Sequence, residues 1–333
     1  MLDDLYQIPL PNHSYDTILS QASLYFFHDL YTLFKKKHCL LKDNGPNHPE
    51  KKERLQAVLK SIQDISSIDI EIKNAPLAGL DNICLVHPAT YINNIFSSIP
   101  NSGLKGVEKE PYADTLLCPD SKNAILRSCG AGIAAANSIM KDNEKRIFCA
   151  VRPPGHHAET VRANGFCFVN NIAVTAKYLQ NKYGINKIAI IDFDVHHGNG
   201  TQEIFYKDTT VVYGSIHEYP LFPGTGSQEE VGTGNVFNAP IVAGTNGKDF
   251  LNILENRILN NIDKFKPEIL LISAGFDAHR RDPLAHINLE SKDFYNITKK
   301  IVEIANIHCQ GRVISFLEGG YDLVALSESV KEH

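Results

Sequence analysis

The chain has 333 residues, 43% of them hydrophobic, and a formal net charge of -5, enough for a substantial core in one large α/β domain. The acidic balance argues against a general binder of nucleic acid or anionic membranes, which calls for a basic surface. Seven cysteines, widely scattered and never spaced as C-x-x-C, argue against a disulfide framework or a cysteine-only zinc site and for a reducing, cytoplasmic compartment.

The first residues, MLDDLYQIPLPNHSYD, carry acids and no uninterrupted apolar core, so no secretory signal is expected. Nothing downstream approaches a membrane span, and a soluble protein is expected. The run Lys35, Lys36, Lys37 reads as a solvated face. In residues 48–64 the apolar positions Leu55, Val58, Leu59 and Ile62 fall on one helical face. Residues 120–140, opening after Pro119, read as a long helix of small residues, and residues 170–183 as another. Strand character appears at Arg146–Val151, Lys187–Asp192, Thr210–Ile216, Ile269–Ala274 and Arg312–Leu317. Strands alternating with helices predict an α/β fold, a mainly parallel central sheet flanked by helices.

The segments just after these strands carry the chemistry. RIFCAV leads into RPPGHH, KIAIID into FDVHHGNGT, TVVYGSI into HEYPLFPGTG, EILLISA into GFDAH, and RVISFLE into GGYD. Ligands of open parallel sheets bind beyond the carboxyl ends of the strands. Five strand ends therefore deliver His156, His157, Asp192, Asp194, His196, Asp277 and Tyr321 to one rim.

Asp194, His196 and Asp277 form a mixed oxygen and nitrogen donor set suited to zinc or another borderline divalent metal. Three protein ligands leave positions open for water and substrate, the pattern of a catalytic site. The adjacent His156 and His157 suit acid and base work on such a water. Asp192 and Asn199, beside the metal set in sequence, are candidates to orient those rings. Tyr321, after two glycines that allow a sharp bend, is placed to donate a hydrogen bond to an oxyanion. Singly, an HH pair, a D-x-H or a GGY is commonplace; their occurrence at successive strand ends is what points to a site. His217 and His279 read as supporting or loop residues, and His13, His28, His38 and His308 as structural or exposed.

RPPGHHA (152–158), GFCFVNN (165–171), DFDVHHGNGTQ (192–202), LFPGTG (221–226), SAGFDAHRRDPLA (273–285) and LEGGYD (317–322), with the upstream HPEKKERL (48–55), resemble the signature set of the zinc-dependent histone deacetylase superfamily. They run through almost the whole chain in family order. The resemblance implies the arginase/deacetylase-like fold over residues 1–333. It further implies Asp194, His196 and Asp277 as ligands of one zinc, His156 and His157 as the histidine pair, and Tyr321 as the carbonyl-polarising tyrosine. Phe166 and Phe222, with Gly165 and the loop leucine Leu284, would line a narrow acyl-lysine tunnel. It also implies a structural potassium ion held by Asp192, Asp194, His196, Ser215 and the carbonyl of Ile216, and a second near Phe205, Asp208 and Val211. Asn199 stands where class I members carry aspartate, while LEGGYD and DPL look like class II and the bacterial homologues; a tyrosine at 321, where some class IIa members have histidine, favours full activity.

The expected reaction is release of acetate from acetylated lysine in a protein or peptide, histone tails among them, with no nucleic-acid or membrane partner. Acetylpolyamine deacetylation is the nearest rival; polyamine-selective eukaryotic members carry glutamate where this chain has Leu284. A two-manganese ureohydrolase would want D-x-D at the late strand, where Asp277 is followed by Ala278 and His279. A non-catalytic acyl-lysine reader would lack Tyr321 or a zinc ligand. Richness in Ile, Asn and Lys fits an AT-rich bacterial genome, and the end at VKEH reads as a break inside a helix that relatives continue.

Overall fold

The computed structural model describes the backbone of 22–26, and residues 48–63, 65, 70–107, 114–142 and 144–333. The N-terminal segment 1–16, the lysine run 35–37, Cys39, and His13, His28 and His38 lie outside the described residues.

The strands are β1 (Ala22–Phe26), β2 (Ile70–Asn74), β3 (Lys105–Gly106), β4 (Leu116–Leu117), β5 (Arg146–Cys149), β6 (Ile188–Asp192), β7 (Val211–Glu218), β8 (Val236–Ile241), β9 (Ile269–Ala274) and β10 (Val313–Leu317). Among the described residues the helices are α1 (Glu53–Gln63), α2 (Leu80–Ile83), α3 (Ala89–Ser97), α4 (Ser121–Lys141), α5 (Asn171–Tyr183), α6 (Asn199–Phe205), α7 (Gly247–Leu254), α8 (Asn260–Phe265), α9 (Ser291–His308) and α10 (Leu323–Glu332), with a π turn at Glu255–Leu259 joining α7 to α8.

An eight-stranded sheet runs β2-β1-β5-β10-β9-β6-β7-β8, and every described pairing in it is parallel. Strands β6, β9 and β10 are buried at every residue. Apolar runs with no alternation are what a sheet covered on both faces requires. The covering helices form packed groups, α4 against α5 and α1 against α10, with α9 beside α10.

The five strands expected from sequence are all present, and three more complete the sheet. Of these, β2 and β8 are its edges. Edge position explains why β8 tolerates Pro240, which cannot donate to a further ladder. The helix expected over 48–64 begins only at Glu53, because Glu50, just before it, is drawn into buried ion pairs with Arg54 and Arg152. By contrast α5 matches closely: the Asn170 side chain accepts from Ala173 N, and Gly184 closes the helix in the left-handed conformation.

Candidate active site

The carboxyl end of β6 continues into Asp194 and His196, and that of β9 into Asp277. These three are buried, with ligand atoms all within 4.8 Å of one another. His196 Nδ1 lies 3.2 Å from Asp194 Oδ1 and 3.1 Å from Asp277 Oδ2. Donor atoms on a tetrahedral ion with bonds of about 2.0 Å would be separated by about 3.3 Å, so these spacings fit zinc. Burial disfavours charge on His196, but the two carboxylates overcome it and draw the ring up to about 10. Positive charge is thus wanted at the point where a divalent cation would sit.

Backbone groups take up the remaining carboxylate lone pairs. Gly319 N donates to Asp194 Oδ2 at 2.7 Å, and Val195 N to Asp277 Oδ1 at 3.0 Å. Glycine is required for that approach: a Cβ on Gly319 would stand 2.0 Å from Asp277 Oδ2.

The loop after β5 brings in the histidine pair. Glu318, at the end of β10, accepts from Gly155 N at 2.7 Å and His156 N at 3.2 Å and so fixes that loop. His156 Nδ1 donates to Asp192 Oδ2 at 3.1 Å, which also accepts from Tyr213 OH at 3.0 Å. Burial opposes a charge on His156, yet Asp192, Asp194 and Glu318 raise it to about 10. His157 Nδ1 donates to Asn199 Oδ1 at 2.8 Å. Burial and the neighbouring His156 and His196 push His157 well below the ordinary imidazole range, leaving it neutral with its Nε2 lone pair free.

Tyr321 follows Gly320, whose φ of 115° only glycine adopts easily. Its backbone N donates to Asp282 Oδ2 at 2.7 Å. Burial, against the Arg54 cation, pushes the phenol well above its usual range, so it is a hydrogen-bond donor. Arg54, wholly buried in α1, donates to the carbonyls of Gly320 at 2.7 Å and Glu318 at 2.5 Å, and its guanidinium lies 4.9 Å from the Tyr321 ring centroid. The ion pairs of Glu50 with Arg54 and Arg152 anchor this guanidinium from the other side.

Two aromatic rings stand beside these groups. Phe222 is 43% exposed, and its ring lies 5.1 Å from that of His157 and 6.3 Å from that of His196. Phe166 sits 6.0 Å from Tyr321. Gly165 presses its backbone on the His157 ring, where a Cβ would be 2.4 Å from Cδ2. Leu284, half-buried, is joined to the site through Asp282: its N donates to Asp282 Oδ1 at 3.0 Å.

The structure thus brings Asp192, Asp194, His196 and Asp277 together with His156, His157 and Asn199, with Phe222 beside His157 and Phe166 beside Tyr321, while Leu284 is linked to them only through Asp282. Asp192 and Ser215 are register neighbours on β6 and β7, with Ile216 next in line and Ser215 Oγ bonded to His217 Nδ1 at 2.9 Å. The second potassium position does not fit. The Asn235 amide nitrogen donates to the carbonyls of Phe205, Asp208 and Val211 at 2.8, 3.1 and 2.9 Å, so an NH2 group takes the place among them that an ion would need. Its Oδ1 meanwhile accepts from Thr233 N at 3.1 Å, which fixes the amide in that sense.

Sequence reasoning missed Arg54, Glu318, Asp282 and Tyr213. The first three lie inside the motifs HPEKKERL, LEGGYD and SAGFDAHRRDPLA; for Glu318, a charged residue directly after a buried strand was the available signal. Tyr213, in a β strand, offered none.

Residues 48–333 match the family model for the histone deacetylase domain. The chain is 37% identical over 306 residues to histone deacetylase 10, chloroplastic, of Oryza sativa subsp. japonica, covering 87% of this chain and 69% of that protein. It is 34% identical over 304 residues to a probable deacetylase of Archaeoglobus fulgidus, covering 89% of this chain and 80% of that one. The crystal structure of the HDA15 HD domain superposes with a TM-score of 0.84 at 30% identity, covering 94% of this chain and 87% of that one. Sequence, fold and the metal-binding group at the strand ends agree, and the chain belongs to the histone deacetylase family, hydrolases of acetyl amides.

Proposed function

We propose that the chain hydrolyses the acetyl amide of acetylated lysine in proteins or peptides, with one zinc held by Asp194, His196 and Asp277. The observation that carries this reading is the meeting of three features at one point: the open donor set, a neutral His157 and an aromatic approach formed by Phe222 and Phe166. Zinc, when bound, supplies Lewis-acid polarisation of the amide carbonyl and a lower pKa for water.

The protein's own groups do the rest. His157 Nε2 takes a proton from the attacking water, whose oxygen bonds to the acetyl carbon. The Tyr321 hydroxyl donates to the carbonyl oxygen as it becomes an oxyanion. The C–N bond then breaks, and the proton on His157 passes to the leaving amine, giving acetate and lysine. His156, kept charged by Asp192, disfavours a resting charge on its neighbour and so keeps the base ready.

Leu284 supports lysine over polyamine, since a leucine at the rim offers a cationic substrate no carboxylate. A structural potassium ion beside Asp192, Ser215 and Ile216 is part of the same reading. Acetate release from an acetyl-lysine peptide should stop when a strong chelator removes the metal and return with zinc. Full turnover by protein shown metal-free by elemental analysis would overturn the zinc role. Asp194→Ala, His196→Ala and Asp277→Ala should each lose both metal and activity.

A further inference from the structure

The base role of His157 needs one tautomer, with the proton on Nδ1 and the lone pair on Nε2. Asn199 is a weak guarantor of that. Rotating its amide by half a turn would present NH2 to Nδ1 instead, and the imidazole would then keep its proton on Nε2, where it is useless as a base. An aspartate at this position would have no such ambiguity.

The chain holds the amide from its other end. Asn199 Nδ2 donates to Glu159 Oε1 at 2.7 Å, and an ionised carboxylate only accepts. A flipped amide would set its oxygen against that carboxylate. Glu159 is itself fixed: it closes a tight turn, Glu159 N bonding to Arg162 O at 2.9 Å, with the Arg162 guanidinium 4.0 Å from its carboxylate. Thr160 in that turn donates from N and from Oγ1 to Glu203 Oε2 at 3.0 and 2.7 Å. Glu203 lies on α6, the helix that carries Asn199. Further, His87 Nδ1 donates to the Thr160 carbonyl at 3.0 Å. The turn and the helix are therefore pinned to each other beside the Glu159–Asn199 contact.

We propose that Glu159 is a positioning residue that locks the tautomer of His157 by holding the Asn199 amide in one orientation. The proposal rests on the deacetylase reading for its consequence in rate, but the lock itself is a property of three side chains and can be observed without turnover.

The test pairs kinetics with the tautomer. In the zinc-loaded protein, 15N chemical shifts of His157, assigned with a His157→Gln variant, should show the proton on Nδ1. In Glu159→Ala they should move toward a mixture of tautomers, with kcat on an acetyl-lysine peptide falling by about tenfold at unchanged metal content and thermal midpoint. Asn199→Asp alone should also be slow, because two carboxylates then face each other. In the exchanged pair Glu159→Gln/Asn199→Asp, the glutamine amide donates to an aspartate that accepts from Nδ1, so Nδ1 protonation and most of the lost rate should return. A Glu159→Ala protein with the wild-type 15N pattern and kcat would overturn the proposal, as would an exchanged pair no faster than the slower single variant. A wild type that shows the Nδ1 proton but releases no acetate would remove the deacetylase reading and leave the lock standing.

Discussion

The imidazoles of His156 and His157 stand 4.0 Å apart, centroid to centroid, and their surroundings give them opposite charge states. Burial disfavours charge on both rings; Asp192, Asp194 and Glu318 overcome it at His156, while at His157 the neighbouring His156 and His196 add to it. Two like groups whose environments push their pKa values apart are a signature of divided acid and base roles.

His157→Ala should therefore lower kcat by roughly 10²–10⁴, the range for a lost general base, and His156→Ala should cost less, since it removes a charge and not the proton carrier. Steady-state rates at equal zinc content check this. Equal losses in the two variants would contradict the division of roles.

Tyr321 should matter mainly in the transition state, when the carbonyl oxygen gains charge. Tyr321→Phe should lower kcat by roughly 10²–10³ while leaving the peptide dissociation constant little changed. An unchanged kcat would remove the hydroxyl from the chemistry; a wild type that binds the peptide and never turns it over would make the protein an acyl-lysine reader.

Acid should destabilise the fold through its buried neutral histidines. His87 accepts from Asn170 N at 2.9 Å and donates to the Thr160 carbonyl, and burial pushes it down to about 4. Burial does the same to His217, also to about 4. The unfolded chain protonates these rings near pH 6.5, so their stabilising effect is full above that pH and is lost as pH falls toward 4. Each ring contributes up to about 3 kcal/mol over that interval. The urea midpoint should fall steadily below pH 6, and His87→Gln should be weaker at neutral pH but show a shallower acid slope. An identical slope in that variant would contradict the assignment.

The sheet and the site were legible for one reason. Strands buried on both faces are written as unbroken apolar runs, and the polar residues that interrupt them, such as Asp192 and Glu318, stand at their ends, where the site is. The edge strand β2, with its alternating IEIK, and β8, with Asn238 and Pro240, lack that run and were missed. The metal set could be read because its members cluster in two short stretches. Contacts set by long-range packing could not be read: the Arg54 guanidinium reaching the carbonyl of Gly320, or the Asn235 amide filling a ring of carbonyls. Backbone carbonyls have no signature in side-chain identity, so a cation site built from them and an amide that replaces the cation look alike in sequence.

The backbone nitrogens of Leu284 and Tyr321 donate to the two oxygens of one carboxylate, Asp282, so the Leu284 loop and Tyr321 are tied together. Leu284→Glu should raise activity toward acetylated polyamines relative to acetyl-lysine peptides, by adding an acid at the entrance. An unchanged ratio of specificity constants would show that selection occurs elsewhere.

The most direct measurement is kcat/KM of the zinc-loaded protein, side by side, on acetyl-lysine peptides including histone tails and on acetylated polyamines. Acetate release from both classes with a clear preference for the peptides is expected. A preference for the polyamines would contradict the lysine assignment, and no acetate from either would contradict deacetylation itself.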